Sequence, residues 1–309
     1  MIKENPTIEE ILQLYDFHNA EVELLRHNEN MTYKVIDDSK SYVLRIHKPS
    51  EGINLNLLNV DASKKELIEG EIELLQFLAK DNKLGTQRVR FNVEDKAIIE
   101  LKDSTLVTVL EWVEGVTLDS IDITSEIARS IGIMISRMHS KLSSFTSSNR
   151  YSYDSALVQR MIEEAKIATA LGHLQKHHSR IILDALEVIS KYLSTVNNRY
   201  IYVHSDLGKS NLIYNEDKII PIDFSLSGRC IPEMDLASIS SHLNDKSLIS
   251  EVLNGYIASG EHSFSKDGME ICFSLQILLF ILCQHNKYSK EAWFTERIDE
   301  WCNKFFIHL

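Results

Sequence analysis

The sequence predicts an α+β protein: an antiparallel sheet with one main helix comes first, and a larger, mostly helical part follows. Three observations predict this. Residues 21–48 and 88–112 hold short apolar–polar runs broken by polar turns, the pattern of half-buried antiparallel strands. From residue 122 onward the apolar spacing becomes three and four, the period of amphipathic helices. The 309 residues suffice for two domains at about 150 each, yet the chain has only 4 prolines and no Pro-, Gly- or Ser-rich linker. Two closely connected lobes are expected, residues 1–113 and 114–309.

The first helix is expected over residues 6–17. Asn5 caps it, Pro6 suits its first turn, and Glu9 and Glu10 favour the positive end of its dipole. Ile8, Ile11, Leu12 and Tyr15 give it one apolar face. Three strands follow, over residues 22–25, 31–36 and 41–48, with 37–40 as the second turn. The first turn, residues 26–30, contains no glycine; Asn28 and Asn30 tolerate the left-handed backbone that a tight turn needs. On the third strand, alternation puts Val43, Arg45 and His47 on one face and Leu44, Ile46 and Lys48 on the other.

A helix over residues 67–80 packs through Leu67, Ile68, Ile72, Leu75 and Leu78, and it carries Glu69, Glu71 and Glu73. Strands over 88–92, 97–101 and 105–112 complete the sheet and run into Glu111-Trp112-Val113-Glu114-Gly115. Residues 125–142 form a long amphipathic helix. Its His139 reads as a structural histidine, because no nucleophile is paired with it in sequence. Residues 151–194 read as two helices joined by a polar turn over 173–179. The histidines there, His173, His177 and His178, have no acidic partner at helical spacing and read as solvated. Helices are expected over 233–242, 247–259, 269–285 and 291–306. Glu291, Glu296, Asp299 and Glu300 on the last form a solvated face.

Composition narrows the partners. A net charge of −12 opposes nucleic-acid binding, which needs clustered Lys and Arg. It permits a cationic substrate without demanding one. The 4 cysteines lack a Cys-x-x-Cys pair, so neither a zinc site nor a disulfide framework is expected. With no apolar leader core at residues 1–6, this reads as a cytoplasmic protein with reduced thiols. The most apolar run, residues 271–283, is too short to span a bilayer and reads as a core helix. Neither a membrane nor a nucleic acid is an expected partner. The oligomeric state is not legible.

The chemistry is concentrated in residues 200–237. A β-type run, Tyr200-Ile201-Tyr202-Val203, leads to His204-Ser205-Asp206, and Asn211 follows. A second run, Ile219-Ile220-Pro221-Ile222, leads to Asp223-Phe224. Two carboxylates at strand ends with an amide between them form a candidate site for a hard cation such as Mg²⁺. The order His-x-Asp-x-x-x-x-Asn, then Asp-Phe, has the parts of the protein-kinase catalytic loop.

These motifs, with Ser227-Gly228-Arg229 and Asp235-Leu236-Ala237 downstream, resemble the aminoglycoside phosphotransferase and choline kinase family of small-molecule kinases. The resemblance implies a bilobal protein-kinase-like fold. It implies transfer of the γ-phosphoryl group of ATP or GTP to a hydroxyl of a small-molecule acceptor. Asp206 would be the catalytic base, and Asn211 and Asp223 the Mg²⁺ ligands. Val43 and Arg45 match the strand that covers adenine and binds phosphates, and Glu71 matches the acid that braces the basic residue. Glu111 and Val113 would read adenine through backbone groups, and Ile213 and Ile222 would complete its sandwich. Asp235 would anchor the catalytic loop from below. Asp154, Glu163 and Glu164 fall in the helices that build the family's acceptor pocket. The short motifs Leu207-Gly208-Lys209-Ser210 and Ser227-Gly228-Arg229 tilt the acceptor toward an aminoglycoside-type antibiotic, with choline-, homoserine- or sugar-type metabolites as alternatives.

Two departures from the family pattern stand out. The phosphate turn lacks glycine, and Ser205 stands where the family has glycine. They point to a second function class, a catalytically silent kinase-like binding protein. A protein kinase is disfavoured, because Asp-Phe-Gly and Ala-Pro-Glu are absent.

Overall fold

The structure is a computed structural model that describes residues 7–28, 30–58, 61–147, 149–258 and 263–309. The cap expected at Asn5 and Pro6 lies outside these residues. The helix it would have opened is shorter than expected, α1 at Ile8–Gln13, and it starts at a capping box: Thr7 accepts from the Glu10 N–H while Glu10 returns to the Thr7 N–H.

Strands β1 (Glu21–His27), β2 (Met31–Asp37) and β3 (Lys40–Ile46) form an antiparallel meander. The two-residue turn between β2 and β3 places Asp38 in the left-handed region, with φ 53°, which Asp tolerates. Helix α2 (Lys64–Leu78) starts earlier than the apolar spacing predicts, because Ser63 and Glu66 form a second capping box. Strands β4 (Val89–Arg90), β5 (Ile98–Glu100) and β6 (Leu106–Glu111) complete the sheet, in the order β1-β2-β3-β6-β4 with β5 also on β6. One face of this sheet, with Leu44, Val107 and Val109, packs on α1 through Ile11, Leu12 and Tyr15.

Short β7 (Val116–Thr117) leads into α3 (Ser125–Leu142), whose bounds match the expectation. Strand β8 (Tyr151–Ser152), α4 (Ser155–Ala170) and α5 (Lys176–Thr195) follow. The polar join is therefore shorter than expected, and His177 and His178 lie inside α5. Strand β9 (Ile201–Val203) enters the catalytic segment. Strands β10 (Leu212–Asn215), β11 (Lys218–Pro221) and β12 (Gly228–Cys230) build two small sheets, β11-β10-β7 and β8-β12-β9. The chain ends in α6 (Glu233–Ser241), α7 (Lys246–Ala258), α8 (Lys266–Tyr288) and α9 (Ala292–Lys304).

One buried cluster joins the two parts. Val43 and Leu110 of the sheet and Leu74, Leu75 and Leu78 of α2 pack with Ile131, Ile135 and Met138 of α3, Leu212 of β10 and Leu236 of α6. A second cluster fills the helical part, between α4, α5, α8 and α9. Among the described residues, α8 is the one helix long and apolar enough to cross a membrane by length and composition. It is longer than the apolar run that marked it in sequence, and Ile271, Leu275, Leu278, Ile281 and Leu282 are buried in this second cluster.

Candidate active site

Strand β9 ends at His204, and the next turn is held from below. Asp235, in the first turn of α6, is fully buried. Its carboxylate accepts the backbone N–H of His204 at 2.9 Å and of Ser205 at 2.7 Å. His139 of α3 donates through Nε2 to the same carboxylate at 2.9 Å, while its Nδ1 accepts from the Tyr256 hydroxyl at 3.0 Å. His139 is thus a satisfied structural histidine, as its sequence context suggested. Burial opposes ionisation of Asp235, but the hydrogen bonds it accepts from His139 and the His204 N–H prevail and hold its carboxyl below the usual range.

This cradle fixes an unusual backbone. Ser205 has φ 72°, the left-handed conformation for which glycine is the natural residue, and its Oγ is buried with no hydrogen-bond partner. His204 is buried, and burial lowers its pKa. Its Nδ1 accepts the Asp206 N–H at 3.3 Å and its Nε2 donates to the Ile222 carbonyl at 2.9 Å. One neutral imidazole therefore ties the Asp206 turn to the residue before Asp223.

Asn211 bonds Asp206 directly and reaches Asp223 through the backbone of the residue before it. Asn211 Nδ2 donates to the Asp206 carbonyl and to Asp206 Oδ2, both at 2.9 Å. The Ile222 N–H donates to the Asn211 carbonyl at 2.9 Å. Asn211 Oδ1 is then left buried without a hydrogen-bond partner. A buried, unanswered amide oxygen close in the chain to two carboxylates is the donor set a hard cation takes, so these residues fit Mg²⁺.

Arg45 reaches Asp223 from the sheet. Its guanidinium donates to Glu71 at 2.7 Å and to Asp223 Oδ1 at 3.3 Å, with Arg45 and Glu71 both buried. Of Glu69, Glu71 and Glu73 on α2, Glu71 makes this pair; Glu73 instead accepts from Ser147. Arg26, at the end of β1, bonds the other oxygen of Asp223. Burial alone would raise the Asp223 pKa, but the charges of Arg45 and Arg26 outweigh it and hold the carboxyl far below its usual range. Asp223 itself is left-handed, at φ 64°, before the short turn Phe224–Leu226.

The remaining predicted residues lie on β3, β6 and β10 and just after β6 and β11. Val43 is buried opposite Leu110 on β6. Beyond Glu111 the chain leaves the sheet, after the Trp112 N–H donates to the Ser41 carbonyl. Gly115 follows with φ 131°, and a Cβ there would meet the Tyr214 carbonyl at 2.5 Å and Ile213 Cγ2 at 2.7 Å. The Glu-Gly pair after the hinge is therefore the point where the linking segment crosses directly over β10 and Ile213. Ile222 sits between β11 and Asp223, half-buried.

Two arginines escaped the sequence reading. Arg26 lay in the glycine-free turn, where its basic character was the available signal. Arg150 is buried and donates to the carbonyls of Leu67, Phe224, Ser225 and Ser227, so it bridges α2 to the segment after Asp223. Nothing in its local sequence marks it.

Three acids expected near the acceptor pocket fall elsewhere. Asp154 caps α4 by accepting from the N–H groups of Ala156 and Leu157; Glu163 pairs with Lys166; Glu164 accepts from buried His285. The expectation that His178 is solvated is also corrected: it is buried in α5, and Asp299 of α9 comes within 3.1 Å of its Nε2, an approach that spacing along one helix could not reveal. Asp206 also lines a cavity of about 460 Å³, walled by α6, α8, α9 and the segment with Ile53, Leu55 and Leu58; Arg45 is not in its wall.

The comparisons bear on this arrangement. Residues 21–270 match the model of the phosphotransferase enzyme family. No curated protein matches by sequence. An amicoumacin kinase, hAmiN, in complex with AMP-PNP, Ca²⁺ and Ami, superposes with a TM-score of 0.74 at 17% identity, covering 96% of this chain and 93% of that one. A microcompartment-associated aminopropanol kinase gives 0.70 at 18% identity, with 96% and 93% covered. The choline kinase LicA from Streptococcus pneumoniae gives 0.65 at 20% identity, with 94% of each covered. The fold is bilobal and protein-kinase-like, with a sheet-rich first lobe and a helical second one.

Proposed function

From the premise that this chain belongs to the phosphotransferase enzyme family, a family of small-molecule kinases, we propose that it moves the γ-phosphoryl group of ATP or GTP to a hydroxyl of a small molecule. The observation that carries this reading is a pair of bonded sets, Asp206 with Asn211 and Asp223 with Arg45 and Glu71, tied together through the backbone of Ile222. A scaffold has no chemical need for that pair.

Asp206 holds the acceptor hydroxyl and takes its proton. The hydroxyl oxygen forms the new bond to the γ-phosphorus as the bond to the β–γ bridging oxygen breaks. The nucleoside diphosphate leaves with that electron pair. Arg45, braced by Glu71, grips the α- and β-phosphates, and the pairing fixes its rotamer in advance. Asn211 and Asp223 would hold Mg²⁺, which when bound neutralises phosphate charge. Val43, Ile213 and Ile222 enclose adenine, and the Glu111 carbonyl and Val113 N–H read its edge. We take the lobe boundary after Val113, where the chain has left β6. Four free, buried cysteines are in keeping with a cytoplasmic setting.

The acceptors of the structural relatives and the sequence tilt leave aminoglycoside-, aminoalcohol-, homoserine- and sugar-type hydroxyls as candidates. The pairing of Arg26 with Asp223 favours a second reading, a nucleotide-binding protein without turnover. Mg²⁺-dependent nucleoside diphosphate release across a panel of hydroxylated acceptors separates the two. Release that needs both acceptor and Asp206 supports the transferase; inertness with every acceptor supports the silent protein.

A further inference from the structure

The cavity beside Asp206, at about 460 Å³, falls in the range of about 300–1,000 Å³ that holds drug-sized ligands. The largest share of its wall comes from α8. Phe273, Ile277 and Phe280 recur there at helical spacing, and Trp301 of α9 and Leu55 complete the apolar surface. Phe280 and Trp301 meet edge to face at 6.0 Å. The other side of α8 is buried in the helical core through Leu275, Leu278 and Leu282. The cavity face of α8 is not wholly apolar, since Gln276 and Gln284 also line it, but it carries no charge. A helix face that borders water ordinarily carries charged side chains; this one offers two neutral amides among Phe273, Ile277, Leu279 and Phe280.

Charge points the same way. Among the described residues, Asp206 is the one carboxylate in the wall, and the wall contains no lysine or arginine. Acids of the neighbouring helices are engaged outside it: Asp154 caps α4, Glu163 faces Lys166, Glu164 faces His285, Asp299 faces His178 and Glu300 faces Arg297. Each further ammonium of a polycation would lose its water with no carboxylate to replace it, and an unpaired buried charge is strongly disfavoured. The motifs that tilted the sequence toward aminoglycosides, residues 207–210 and 227–229, fall outside this wall.

We propose that the acceptor is an uncharged alcohol with a hydrocarbon body, its hydroxyl at Asp206 and its ring or chain against Phe273, Ile277, Phe280 and Trp301. This deepens the phosphotransferase reading and rests on it for the chemistry at the hydroxyl. The test is tryptophan fluorescence titration of the full chain saturated with Mg²⁺ and AMP-PNP. The probes are 4-phenylbutan-1-ol and 4-cyclohexylcyclohexanol, set against kanamycin and choline. Trp301→Phe assigns the signal to the cavity. Both neutral alcohols are expected to bind at least ten-fold tighter than either cation. Ile277→Glu is expected to weaken the neutral alcohols at least ten-fold and to bring the cations level or ahead. Its melting rise with AMP-PNP checks that it folds, and Phe273→Gln serves in its place if it does not. Kanamycin or choline binding as tightly as the neutral alcohols overturns the proposal, and so does failure of both alcohols to bind. Nucleoside diphosphate release with the same probes keeps the two readings apart. Transfer to a cation ends this inference and leaves the phosphotransferase intact; saturable binding of the alcohols without release keeps the cavity assignment and removes the transfer.

Discussion

On one side of Asp206, four charged side chains from three distant stretches meet: Arg26 and Arg45 from the sheet, Glu71 from α2 and Asp223 after β11. On the other side the wall of a 460 Å³ cavity carries a single carboxylate, Asp206 itself. The difference follows from what each side is suited to hold. Phosphate recognition prescribes residue types, because oxygens carrying charge need guanidinium donors and a hard cation needs oxygens. Hydrocarbon recognition prescribes only apolar volume and shape. One side is therefore a set of named residues, and the other is a helix face that looks like core.

If the sides are separable, Asp206→Asn breaks transfer alone. The proposed loss of a general base lowers the rate about 10²–10⁴-fold, with Mg²⁺–nucleotide affinity retained within a few-fold by calorimetry. Equal loss of nucleotide affinity would show the two sides to be one cooperative site. Glu71→Gln tests the charged side in isolation. It removes one carboxylate from a buried pair, a change that typically costs about 3–5 kcal/mol. Urea unfolding is expected to register most of that loss. A loss under about 1 kcal/mol would mean that Asp223 alone suffices to hold Arg45.

The same contrast explains what the sequence disclosed. The strand-then-helix order, the Arg45 face and the Asp206–Asn211–Asp223 spacing were all legible, because each rests on local periodicity or on a short motif. The small strands β7, β8, β10 and β12 were not, since two to four residues carry no period and their pairing joins segments far apart in the chain. Arg26 and Arg150 were missed because their partners are non-local: a carboxylate nearly two hundred residues away in one case, and backbone carbonyls in the other. The α8 cavity face was hidden most completely. Phe273, Ile277 and Phe280 read as core, and the open space beside them exists only once α6, α8 and α9 are assembled.

His47 sharpens the comparison through pH, since it lies on the Arg45 face of the sheet. Burial, then the charges of Arg45 and Lys64, lower its pKa to about 3. In the unfolded chain it takes a proton near 6.5. Between those values the unfolded state binds more protons, so stability rises with pH there and is lost as pH falls from about 6.5 toward 3, with a slope of about 1.4 kcal/mol per pH unit for one histidine. His204, also lowered by burial, adds in the same direction. The depressed Asp223 adds a loss below about pH 4, where the unfolded carboxyl protonates first. His47→Gln retains a hydrogen-bonding group for Thr108 Oγ1, which His47 Nε2 meets at 3.0 Å. Urea midpoints compared at pH 7 and pH 5 are expected to shift less in this variant than in the parent. An unchanged shift would place the titration elsewhere.

The smallest effect concerns the hinge between the two sides. Ser205 lies in the left-handed region, at φ 72°, where Asp235 accepts its N–H and that of His204 together. A non-glycine residue there costs about 1–2 kcal/mol, and the Oγ is buried without a partner besides. Ser205→Gly relieves both terms, while the greater freedom of glycine in the unfolded chain takes back about 0.4–1 kcal/mol. A net gain of about 1 kcal/mol in urea unfolding is expected, with transfer undiminished, because the turn that presents Asp206 keeps its Asp235 anchor. If the glycine variant instead loses transfer while gaining stability, the Ser205 side chain helps form the acceptor end of the cavity it lines, and the strain is retained for that contact.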